Sequence, residues 1–163
     1  MRCQQGVGLI EVLVALLLLA IGALGFIALQ YRAVESGGEA ANRVIATQVA
    51  RDLAENIRIN NSTEAVRQYA LMSKNQNVDC YTTFCTPVEK AQFDTAHIQT
   101  YASTVGMSVA MINCPVTLNR RQCIYVAWDK TTANDNTTTS CTVSSGNSFS
   151  YRNDSTCLVM EVL

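Results

Sequence analysis

Residues 12–29, VLVALLLLAIGALGFIAL, are 18 consecutive positions without a charged or strongly polar side chain. A helix over this stretch spans roughly 27 Å, close to the hydrocarbon thickness of a bilayer. The run is longer than a signal-peptide core of about 7–15 residues, and no small-x-small cleavage pattern follows it. Arg32-Ala33-Val34-Glu35 simply continues into a polar helix. The apolar segment is therefore expected to stay on the protein as a membrane-spanning helix. Apolar residues are unevenly spread, with 35 among the first 59 positions and 44 among the remaining 104, so a uniformly soluble globule is excluded. Lys and Arg total 12 against 13 Asp and Glu. That balance leaves no basic excess for phosphate neutralisation, and nucleic acid is not expected as a partner.

Glu11 stands near the start of the apolar stretch, behind Val7, Leu9 and Ile10. A carboxylate facing lipid costs on the order of 2–3 kcal/mol near the centre of a span and less at its edge. It either reaches back to the headgroup layer or pairs with a cation once the helix is buried among others. Before it lies the six-residue leader Met-Arg-Cys-Gln-Gln-Gly, ending at Gly6.

The string Gly6-Val7-Gly8-Leu9-Ile10-Glu11-Val12 resembles the processing signature of type IV prepilins and of the pseudopilins of type II secretion. The resemblance implies that a prepilin peptidase cuts between Gly6 and Val7 and methylates Val7. It also implies that Glu11 pairs with the terminal amine of a neighbouring subunit in the filament. Val7 departs mildly from the Phe or Met usual at that position. The stretch from Leu9 to Gly25, followed by Leu29-Gln30, is similar to PilV-type minor pilins, specifically over roughly residues 6–59 and loosely beyond. Many pilins kink this helix at a proline. Here no proline precedes Pro87, and Gly22 and Gly25 mark the place where a bend or melt is expected.

Beyond the apolar segment, Ala41, Ile45, Val49, Leu53 and Ile57 recur every four residues with Val44 beside them. This pattern predicts an amphipathic helix with one buried stripe. Ser36-Gly37-Gly38 is its weakest point, and Asn60-Asn61-Ser62 ends it. A continuous helix from Val7 to Ile59 would be about 80 Å long. Asn61 with Glu64 is expected to cap a short helix over 63–72. Thr86-Pro87-Val88-Glu89 reads as a capping box opening a helix over 87–104 that buries Val88, Ala91, Ile98, Tyr101 and Val105. Met107–Ile112, Cys123–Trp128 and Leu158–Leu163 read as strands. Residues 129–156, rich in Thr, Ser, Asn and Asp, read as a long surface loop with at most one short hairpin. The expected fold is α+β, a pilin-like lollipop in which a long N-terminal helix packs on a small antiparallel sheet with disulfides. Its parts would be a leader (1–6), a membrane-spanning half-helix (7–30), an amphipathic half (31–59) and a globular domain (60–163).

Seven cysteines are present, and a cut after Gly6 removes Cys3 and leaves six. Six cysteines in a small exported domain point to disulfides in an oxidising compartment, with fifteen pairings possible. Proximity in the chain favours Cys80–Cys85, Cys114–Cys123 and Cys141–Cys157. The spacings suit zinc poorly, and His97 is the sole histidine, so no metal and no cofactor is expected. Asp94, His97 and Ser103 share one predicted helix, whereas a catalytic triad draws its parts from separate elements. Arg120-Arg121 reads as a solvated turn, and Asp129–Asn136 lacks calcium-loop spacing.

The expectation is a non-enzymatic minor pilin that primes a type IV pilus and sits at its tip. It would wait in the inner membrane with its domain in the periplasm, alongside other minor pilins and the major pilin. The alternative is a minor pseudopilin of type II secretion, with a DNA-uptake or adhesion receptor as a further option.

Overall fold

The computed structural model describes residues 8–75, 78–115, 121–145 and 148–162. The elements in chain order are α1 (Leu9–Ile59), α2 (Thr63–Ala70), α3 (Pro87–Thr104), β1 (Met107–Asn113), β2 (Gln122–Trp128), β3 (Thr132–Asp135), β4 (Ser140–Ser145), β5 (Ser148–Tyr151) and β6 (Cys157–Glu161). The chain divides into two units, one ending at Ala41 and one beginning at Asn42.

In the first unit α1 stays helical through Gly22, Gly25, Gly37 and Gly38, so the helix does not melt at Gly22 and Gly25. A Cβ at any of these four positions would meet nothing within 4 Å. Glycine costs a helix about 1 kcal/mol relative to alanine, and here no neighbouring side chain requires it. Every large apolar side chain from Leu9 to Val34 is exposed, the arrangement suited to lipid or to other helices rather than to water.

In the second unit the α1 face that enters the core is Ala46, Val49, Ala50, Leu53 and Ile57. Val49, Leu53 and Ile57 of the expected stripe are buried, while Ala41 is exposed and Val44 is 58% exposed. At 3.6 residues per turn a strict four-residue step drifts about 40° each time, so a face can be held only by alternating steps of three and four. The cap of α2 is Ser62, not Asn61, and its hydroxyl accepts a hydrogen bond from the Ala65 amide at 3.3 Å. The capping box of α3 is formed, the Glu89 amide donating to Thr86 Oγ1 and the Thr86 amide to Glu89 Oε2. Gly106, with φ of +72°, follows the end of α3 in the left-handed conformation that glycine adopts without strain. The buried face of α3 is Ala91, Asp94, Thr95, Ile98 and Ala102. Val88 is only half-buried and Tyr101 is 44% exposed, so both were misplaced by apolarity alone.

One antiparallel sheet has the order β1-β2-β6. Its middle strand is buried on both faces. Ile124, Val126 and Trp128 join the helices in one cluster, while Cys123, Tyr125 and Ala127 join Cys141 and Cys157 in another. The second cluster covers what was expected to be a loop. Residues 132–151 supply a second sheet, β3-β4-β5, in which β3 pairs with β4 in parallel and β4 with β5 antiparallel. Ser140, Cys141 and Thr142 of β4 are fully or almost fully buried. Their polar atoms are satisfied internally, as burial requires. Ser140 Oγ donates to the Thr142 carbonyl at 2.7 Å and Thr142 Oγ1 to Asp135 Oδ1 at 2.7 Å.

Leu53→Ala should destabilise the second unit by about 2–5 kcal/mol, whereas Val44→Ala should change it by less than about 0.5 kcal/mol. Urea unfolding of the full chain in detergent, read by the emission of Trp128, the single tryptophan, measures both. Equal losses would contradict the buried face assigned to α1.

Candidate functional site

Three groups of residues carry the chemistry: the start of α1, the cysteines, and a buried acidic side chain on α3. Gly6 and Val7 lie outside the described residues. From Gly8 onward the helix is under way, its carbonyl accepting from the amides of Glu11 at 3.0 Å and Val12 at 3.4 Å. Glu11 is exposed in the first turn of α1. It opens onto an apolar face made by Val12, Ala15, Leu16 and Leu19. A carboxylate bordered by four apolar side chains has a strong preference for a cation as soon as water is removed.

The six described cysteines form three disulfides, Cys80–Cys85, Cys114–Cys123 and Cys141–Cys157. The first closes the loop ahead of α3, the second braces the β1–β2 connection, and the third ties β4 to β6. The last two pairs are buried, while Cys80 and Cys85 are half-buried.

Asp94 is buried on α3, which raises the question of its charge. It is paired: the Tyr69 hydroxyl donates to Oδ2 at 2.7 Å, and Lys90 forms an ion pair with Oδ1. The Tyr69 hydroxyl is held well above the usual tyrosine range, first by burial and then by its hydrogen bond to Asp94. Tyr125 is likewise raised, chiefly by burial. The Glu89 carboxyl is lowered by the Thr86 amide and then by the Thr86 hydroxyl. His97 does not share these bonds; its ring lies 6.4 Å from that of Phe93 and 6.5 Å from that of Tyr81. Among the described residues no three His, Cys, Asp or Glu side chains converge as a metal site. The sequence pattern did not single out Tyr69 or Lys90. The only trace it offered was the four-residue spacing of Lys90 and Asp94.

Residues 1–27 match the prokaryotic N-terminal methylation motif, and residues 28–96 match type IV pilin Tt1218. No curated protein and no solved structure matches the chain. The two adjoining matches identify the chain as a type IV prepilin. The motif implies processing by a prepilin peptidase and assembly with other pilins. Together with one helix long and apolar enough to cross a membrane, it describes a single-pass inner-membrane protein that is later assembled into a pilus.

Because Tyr69 is raised on folding, its contribution is complete below the unfolded tyrosine pKa of about 10 and declines as pH rises through the folded value. The urea midpoint should therefore fall as pH rises above about 10. The fall should be smaller in Tyr69→Phe, with Tyr125 supplying the remainder. An identical pH dependence in the two proteins would refute the assignment to Tyr69.

Proposed function

We propose that the chain is a non-enzymatic minor pilin, of a kind resembling the PilV type, which primes assembly of a type IV pilus and occupies its tip. The pilin role in this reading rests on the direct abutment of the methylation motif, ending at residue 27, and the pilin match, beginning at residue 28. Residues 1–6 are the leader, 7–30 the half-helix that leaves lipid for the filament core, 31–59 the amphipathic half, and 60–163 the surface-exposed domain. Prepilin peptidase cuts between Gly6 and Val7 and methylates Val7. Glu11 then receives the terminal amine of a neighbouring subunit. At about 4 Å and an effective dielectric constant of about 20, such a pair attracts by on the order of 4 kcal/mol. That is enough to draw a helix into register while its apolar face moves from lipid to helices. Three disulfides in so small a domain support a tip position, where the domain faces the surroundings with few subunit neighbours.

Deletion of the gene in its host should sharply reduce surface pili counted by electron microscopy. The intact gene should restore them, whereas Gly6→Ala should not. Glu11→Ala should still yield a mature N-terminus at Val7 by mass spectrometry but be depleted from sheared pili. Unchanged piliation would overturn the priming role, and accompanying loss of secreted proteins would move the assignment to a type II secretion pseudopilin. Normal incorporation of the Glu11 variant would remove its pairing role.

A further inference from the structure

A cleft of about 290 Å³ opens in the second unit between the last turns of α1, α3 and the Cys80–Cys85 loop. Its walls are aromatic on one side and hydrogen-bonding on the other. Tyr81 stands edge-on to Phe93, with ring centroids 5.0 Å apart, and His97 lies parallel to Phe93 one turn along α3. Opposite them Asp52 and Asn56 project from successive turns of α1, the amide donating to the carboxylate at 3.4 Å. The volume sits at the lower end of the ~300–1,000 Å³ of small-molecule sites, which combine apolar walls with a few placed polar groups.

Tyr81 is the informative residue. It is 78% exposed, yet its backbone is fixed from both sides. The disulfide joins Cys80 to Cys85, and the Tyr81 amide donates to Asp79 Oδ1 at 2.9 Å. Thr82 and Thr83 donate to Asp79 as well, at 2.9 and 2.6 Å. An exposed aromatic ring on so constrained a loop has its ordering entropy already spent, which favours binding.

The charges narrow the ligand. Lys90 lies over the Phe93 ring, 5.8 Å from its centroid. That lysine is neutralised by Asp94, and Asp52 at the rim disfavours an anion. A neutral molecule with an apolar face for the rings and hydroxyls for Asp52, Asn56 and Lys90 fits these walls. We propose that this cleft binds a neutral sugar ring. The C–H face of the ring would lie on Tyr81 and its hydroxyls would meet Asp52 and Asn56. This assignment stands whether or not the chain primes a pilus.

The test uses the full chain in an amine-oxide detergent, which carries no sugar headgroup. Saturation-transfer NMR is recorded separately with galactose, glucose, mannose and N-acetylglucosamine, and with choline and acetate as cationic and anionic probes. A lone sugar is expected to bind in the low-millimolar range. Transfer to at least one sugar is expected, with affinity about tenfold weaker in Asn56→Ala and in Tyr81→Ser. Trp128 emission should stay unchanged in both variants, which shows that they are folded. Thr100→Ala, on the same helix but outside the cleft, should bind as the parent does. Transfer to none of the four sugars, or sugar affinity unaltered in both folded variants, would overturn the proposal. So would choline or acetate binding more tightly than every sugar and being lost in the variants.

Discussion

The second unit depends on a strand that has no wet face. β2 sends Ile124, Val126 and Trp128 into the helical cluster and Cys123, Tyr125 and Ala127 into the cluster beneath the second sheet. A period of two makes this possible, since successive side chains point to opposite sides. Antiparallel sheets commonly leave one side to water. Here both neighbours are antiparallel, yet layers lie above and below. The helices and the second sheet therefore each cover half of the same strand, and neither can be lost without exposing the apolar surface that the other half cannot hide.

What was legible in the sequence was local or strongly periodic. Thr86 and Glu89 announce α3 because a capping box is built from residues three apart. The apolar run and the three strands with Val, Ile and Met announce themselves by composition. The second sheet did not, because Thr142, Ser140 and Ser144 carry no apolar signal. β4 is buried through a disulfide and through side-chain hydrogen bonds whose partners, such as Asp135 and the Tyr125 hydroxyl, cannot be inferred from spacing. The same holds for Asp94 and Thr95, which a hydrophobicity count assigns to solvent. Asp94 is buried because Tyr69, 25 residues away, reaches it.

The candidate sites divide in the same way. Gly6, Val7 and Glu11, the residues of the proposed processing and pairing, stand within six positions of one another, so linear order is enough to bring them to notice. The cleft under Tyr81 draws residues from three segments separated by up to 45 positions, from Asp52 to His97. No linear pattern encodes that convergence. Only the pairs Asp52 with Asn56 and Phe93 with His97, each one turn apart on its helix, hint that two faces are prepared for something.

Among the described residues each disulfide joins a cysteine to the next one in the chain, over separations of 5, 9 and 16 residues. No covalent loop encloses another, and none encircles a helix. A chain threaded across the membrane behind its anchor delivers these cysteines to the oxidising side two by two. Each bond can therefore close as soon as its second partner emerges, before a competing thiol is present. Of the fifteen ways to connect six cysteines, nearest-in-time is also native. Oxidation during export then needs little reshuffling, and the domain is already braced when its helix is still waiting in the bilayer.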